Sequence, residues 1–492
     1  MQRALFLGSI AALFLVQIYL RFQSDIIQDC AWFLYVAEQL LKGKTLYADI
    51  KEVNPPLGMW MIVPIVWAAK LFAVNAVSAT YIALLAMSAG TIGLCNRYIR
   101  INGDLETTPR YILTFCVAFA VLFFPAAFFA EREHFMILLF LPWVFLRCVS
   151  KEVRNISTWE RTLIGAMAGL SICIKPQALF APVLLEFVLA LREARFKRIW
   201  APENISAIIT SAIYATSIFV FAPLFISEML NLGAKAYVPF YGYPLYMIAL
   251  NARSTIIALI ILFVIRMRLK TLTAETPVID AIMATAIGFL ASYFIQMKGF
   301  TYQIMPANTL AWLGCAAAAA QLWKVESKLS LHVAAAIAVG ALMLNDVPQT
   351  YFNPYKTVSE ALAKNAPNAK SVFIASTRLD DGFPLVQKHD LVWASRLPTQ
   401  WLTPYVASKW QGAALPQDDI VSKALDWTVT DLQEMKPDIV MIDLNNDQVY
   451  VPGGKFDYIK FWQNDPRFQT LWAQYEYRET VRELAIYTLR QK

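Results

Sequence analysis

From residue 4 to about residue 344 the chain returns again and again to apolar runs of bilayer-spanning or near-spanning length. Candidate spans fall at 4–20, 76–96, 111–129, 134–149, 162–174, 177–191, 205–226, 254–267, 278–297, 303–323 and 331–344. One soluble core cannot absorb them: 58% of the 492 residues are hydrophobic and 16% charged, with a mean hydropathy of +0.47. After about residue 346 charges, prolines and short alternating runs take over, and nothing there is long enough to cross. The expected fold is an α-helical polytopic membrane protein with about 11 transmembrane helices in residues 1–345. A small soluble α/β domain follows in 346–492. The first run, 4–20, is followed by "RFQSD" without a small-residue cleavage site, and is read as a retained span.

The awkward segment is 57–73, "LGMWMIVPIVWAAKLFA". If it does not cross and the N-terminus is cytoplasmic, every basic cluster falls on the inner side. Those clusters are Arg97, Arg100 and Arg110; Arg147, Lys151, Arg154 and Arg161; Arg192, Arg195, Lys197 and Arg198; Arg266, Arg268 and Lys270; Lys324 and Lys328. A crossing would flip them all outward. Segment 57–73 is therefore read as a juxtamembrane helix at the outer interface, broken by Pro64. The C-terminal domain then lies outside, in an extracytoplasmic space; a bacterial inner membrane is the natural setting.

This topology collects the polar residues on the outer face. The first outer loop, 21–75, carries Asp25, Asp29, Glu38, Asp49, Lys51 and Glu52. Within it "CAWFLYVAEQLLKGK" has helical spacing, Asp29 in N-cap position before it and Gly43 as a stop. The second outer turn has Glu131, Arg132, Glu133 and His134; the third has Lys175-Pro176; the fifth has Lys298 and Tyr302. Carboxylates and cations on one side can supply a base and an anion clamp. Sugar transfer from a lipid phosphate needs both: a carboxylate to deprotonate the acceptor, and Lys or Arg to hold the leaving phosphate.

Residues 29–58, "DCAWFLYVAEQLLKGKTLYADIKEVNPPLG", resemble the first outer loop of GT-C glycosyltransferases that use polyprenyl-phosphate sugars, in particular the protein O-mannosyltransferase-like and aminoarabinose-transferase-like families. The matching elements are Asp29, Tyr35, Gly43, Tyr47, Asp49 and Pro55-Pro56-Leu57. The hairpin "GLSICIKPQ" and the stretch "KGFTYQIMPA" are similar to further outer-loop patterns of these families. The resemblance implies an inverting transferase with Asp29 as the general base. It implies Lys175 as a contact to the donor phosphate, with Asp49, Glu131, Arg132, Glu133, His134, Lys298 and Tyr302 as further substrate-binding candidates. The implied partners are a polyprenyl-phosphate-linked sugar donor, an extracytoplasmic acceptor (protein, lipid or polysaccharide) and the bilayer. Cys30 stands where the family has a second acid, and the second outer turn departs from the family's Asp, so the second acid is left unassigned.

Bland roles compete with these. Asp29 could simply cap its helix, Asp49 close a turn and Lys175 anchor at the interface. Pro55-Pro56 sets the entry to the second surface helix. No second His stands near His134, no metal motif is present, and a divalent cation is left open. A net charge of +7, once distributed over the inner loops, gives no case for nucleic acid. None of the six cysteines lies in the soluble domain, so no disulfide framework is expected. A transporter or lipid flippase is the first alternative, with Glu186 in a short span as its one favourable acid; a non-catalytic scaffold of the same fold is the second. In the soluble domain, 354–364 reads as an amphipathic helix, and "SVFIAS", "DIVMID" and "ELAIYTL" as strands.

Overall fold

The computed structural model describes residues 2–103, 105–149, 156–194, 196–272, 276–344 and 356–490. Lys151, Arg154 and Arg195 of the inner basic clusters lie outside the described residues. By contacts the chain falls into two compact units that interleave along the sequence. One comprises Met1–Ser24, Ser78–Ser217 and Tyr243–Tyr351; the other comprises Asp25–Val77, Ile218–Gly242 and Phe352–Lys492.

Helices lie on all the expected spanning segments. Among the described residues four are long and apolar enough to cross a bilayer: Gln2–Gln23, Ala76–Asn102, Pro202–Phe221 and Pro277–Gln296. Leu245–Asn251 and Arg253–Thr271 meet that measure only as a pair bent by 55°. These helices support an integral membrane protein, while the figure of about 11 spans rests on the sequence pattern alone. On Pro202–Phe221, Ile208, Ile209, Ile213, Phe219 and Phe221 are exposed. An apolar stripe of that extent is stable against lipid and not against water.

Inside the first unit, charges on the helices are paired, as burial requires. Arg147 donates to Glu186 at 2.5 and 2.8 Å and also pairs with Glu203, which accepts from Arg161 at 2.8 Å. Asp280 is held by Arg192 and Arg266. Glu186 is thereby neutralised by basic residues of the expected inner loops. Helix packing is close where the sequence supplies glycine. A Cβ on Gly165 would sit 2.0 Å from the Glu203 carbonyl oxygen, and one on Gly169 2.5 Å from that of Ala207. Thr158–Ile174 and the start of Pro202–Phe221 therefore meet backbone to backbone, the small-residue mode of membrane helices.

The second unit begins with the helix Gln28–Leu41, followed by Gly43 at φ +91°, the stop expected there. The N-cap expectation for Asp29 is corrected: Ile27 is the cap, and Asp29 lies within the first helical turn. The second surface helix, Leu57–Leu71, is continuous, so the expected break at Pro64 is also corrected. The proline removes one hydrogen bond to the preceding turn without ending the helix. Its 15 residues span about 22 Å at the α-helical rise, short of a hydrocarbon core of about 30 Å.

The C-terminal part of this unit holds a five-stranded sheet of order β2-β1-β3-β5-β4. The strands are β1 (Ser371–Ala375), β2 (Val392–Trp393), β3 (Ile439–Asp443), β4 (Tyr475–Val481) and β5 (Leu484–Leu489). β1 pairs in parallel with β2 and β3; β5 runs antiparallel to β3 and β4. The central strands β1 and β3 are almost wholly buried, as parallel strands covered on both faces are. Helices Lys356–Asn365 and Asp419–Met435 belong to this part, the latter capped by Asp418, which accepts from the Ile420 and Val421 amides.

Candidate active site

The helix Arg132–Cys148 begins just after Glu131, with Glu133 in its first turn, where peptide dipoles favour negative charge. The whole polar quartet is buried: Glu131 and His134 are 0% exposed, Glu133 1% and Arg132 8%. Lys175, at the end of Thr158–Ile174, pairs through Nζ with Glu133 Oε1. Its ammonium also lies 5.1 Å from the centroid of Tyr302. Tyr302 stacks on Phe300 at 5.6 Å and leans on Phe128 at 5.8 Å. Arg132 Nε is 3.3 Å from Glu131 Oε1. Three turns that the sequence presents separately thus supply one cluster.

Burial lowers the Lys175 ammonium from its ordinary value, with Glu133 opposing. Glu133 Oε2 is buried and accepts no hydrogen bond. His134 spends both ring nitrogens on backbone: Nε2 lies 2.9 Å from the Val121 carbonyl, and Nδ1 faces the Ala130 amide at 3.4 Å. Its ring therefore holds the turn. Arg21 stacks over Phe129 at 4.6 Å, and Phe129 lies 4.5 Å from the His134 ring. Sequence reading missed Arg21, whose only signal was a cation directly after the first apolar run. Lys298 follows in the next loop, its carbonyl accepting from the Tyr243 amide at 2.9 Å. Burial pushes its ammonium down to about 8.

Asp29 and Asp49 belong to the second unit. Asp29 is half-buried beside the fully buried Cys30. Asp49 is exposed, and its Oδ2 accepts from the Thr45 amide at 2.7 Å, closing the turn it sits in. Glu52 is 2% exposed. It accepts from Trp32 Nε1 at 2.6 Å and from the Asn54 amide and side chain at 2.8 and 2.7 Å. Lys51 pairs with Glu228 at 2.9 Å, and its Nζ lies 5.1 Å from the Trp427 ring. Tyr35 donates to the Trp393 carbonyl at 3.2 Å. Glu52 and Lys51 thus fasten the loop that follows the Asp29 helix. Glu52→Ala strands the buried Trp32 N–H, and the expected loss of stability is about 1–3 kcal/mol. Thermal unfolding of the purified protein reads it directly, and an unchanged midpoint would show that Glu52 does not hold the loop.

Among the described residues, no group of three or more His, Cys, Asp or Glu could hold a metal ion. The elements define a helical membrane protein that carries a small α/β sheet unit. No protein-family model and no curated protein matches the chain. Among solved structures it is similar to the apo oligosaccharyltransferase of Archaeoglobus fulgidus, with a TM-score of 0.52 and 12% identity over 99% of this chain and 74% of that one. At that identity the likeness shows a shared fold and nothing finer.

Proposed function

We propose that the chain is an integral-membrane glycosyltransferase that moves a sugar from a polyprenyl-phosphate donor to an extracytoplasmic acceptor, with inversion at the anomeric carbon. The observation that carries this reading is the likeness, over 99% of the chain, to an oligosaccharyltransferase. The first-loop pattern around Asp29 adds the lipid-phosphate donor and the base. Asp29 is assigned the acceptor's proton, and the membrane is assigned as a bacterial inner membrane with the C-terminal part outside. In the other unit, Lys175 and Arg132 are assigned the donor phosphate, whose charge grows as the sugar leaves. Glu133, with one oxygen on Lys175 and the other open, is assigned the second acid. The test is sugar transfer in membranes at matched expression, wild type beside Asp29→Asn.

Lys298 gives this reading a pH signature. With its ammonium pushed down to about 8, it loses its charge as pH rises through about 8. If it helps to hold the donor phosphate, transfer falls across that window, and Lys298→Arg, which stays charged, moves the fall upward. Folding stability moves the other way. The unfolded lysine keeps its proton to about 10.4, so the unfolded state binds more protons between about 8 and 10.4 and stability rises there. A flat transfer profile through about pH 8 would remove Lys298 from the donor site.

A further inference from the structure

The C-terminal sheet contains a feature that the transferase reading does not use. From β1 the chain passes to β2 on one side, then crosses to β3 on the other, so the crevice beyond the carboxyl ends of β1 and β3 is a topological switch point. In open α/β sheets that is where ligands bind. Here β3 ends in Asp443, and the turn after β1 brings Asp381, which accepts from Ser376 Oγ at 2.6 Å. The two following loops are tied together, Thr377 Oγ1 donating to the Val449 carbonyl at 2.7 Å. The Ser376 carbonyl accepts from the Gln400 amide at 2.8 Å, which sets Trp401 beside the end of β1.

Aromatic rings line the same place. Tyr450, next to Val449, lies 4.4 Å from Tyr241, and Tyr241 stacks on Tyr237 at 4.3 Å. Tyr237 in turn meets Trp401 edge-on at 6.3 Å. Two of these groups are at once buried and unsatisfied: Tyr241 is 5% exposed and Trp401 2%, yet the Tyr241 hydroxyl and the Trp401 Nε1 have no hydrogen-bond partner. Buried polar atoms in native proteins are normally paired, so two idle donors in one ring cluster ask for a partner from outside.

We propose that this crevice is a saccharide-binding site. Carboxylates accept from sugar hydroxyls, the idle hydroxyl and indole N–H donate to ring and hydroxyl oxygens, and aromatic faces pack on the C–H faces of pyranose rings. An anionic ligand does not fit. Burial already pushes Asp381 up to about 6 and raises Asp443, and Arg378 at the rim is engaged by Asp380 at 3.2 Å. The site does not rest on the transferase reading, because binding needs no donor and is measured without one.

The test is calorimetric titration of the full-length protein in detergent with mannotriose, a neutral saccharide, and with the cationic glucosamine trimer. Saturable binding of at least one is expected. Tyr241→Phe and Trp401→Phe should each weaken it about tenfold; Tyr241→Phe, which removes only an unpaired buried hydroxyl, should leave the melting temperature unchanged or raised, whereas Trp401→Phe also lowers it by opening a cavity in the core. Asp443→Asn should weaken the cationic trimer more than mannotriose. Absence of saturable binding of either saccharide overturns the proposal, and so does wild-type affinity in both aromatic variants.

Discussion

Asp29→Asn is expected to reduce sugar transfer by at least about 100-fold, the lower range of what a positioned general base contributes. The substitution keeps the shape of the side chain while removing its charge and its ability to take a proton. Its structural cost is small. Asp29 is not the helix cap, and a charge in the first turn of Gln28–Leu41 is worth about 0.3–1 kcal/mol of helix-dipole energy. Loss of transfer with an unchanged melting temperature therefore reports chemistry. Asp29→Glu should recover part of the rate if proton abstraction is the role, because the carboxylate survives. Transfer by the Asn variant at the wild-type rate would remove Asp29 as the base and leave only a helical turn.

The second large effect concerns the Lys175–Glu133 pair. Lys175→Met is expected to destabilise the protein by about 3–5 kcal/mol, because it leaves the Glu133 carboxylate buried without its cation. Glu133→Gln added to Lys175→Met should return most of that stability, since no unpaired charge remains. Transfer separates the two roles of the lysine. If Lys175 holds the donor phosphate, the double variant folds yet transfers more slowly than Glu133→Gln alone, and a raised Michaelis constant for the donor carries the difference. A double variant that folds and transfers normally would make the pair purely structural.

How much of this was legible in the sequence varies with how local its cause is. The helix at 28–41 and its stop at Gly43 were readable, because periodicity and a residue tolerant of φ +91° act within a few positions. Strands β1, β3 and β5 were readable as short apolar runs. β2 was not, having two residues, and β4 was not, because "YEYRETV" is an edge strand with charged, largely exposed side chains. Pro64 misled: its breaking tendency is real, but the helix runs through it. The cluster around Lys175 and Glu133 was legible only as residues expected on one face. Charge bias tells which face a residue occupies; it does not tell that Lys175 reaches across 42 positions to Glu133. Glu52 looked like a surface acid because its partner Trp32 lies 20 residues away, inside an apolar helix.

The contact between Tyr35 and the Trp393 carbonyl joins residues 358 positions apart. Trp32 likewise packs edge-on against Phe383 at 5.2 Å. During synthesis the loop bearing Asp29 emerges early, yet the side chains that cover its helix are made only near the end of the chain. That loop must wait, its indole uncovered, for most of the protein to be translated. Its completion is a late event, so a chain shortened at its C-terminus forfeits structure near its N-terminus.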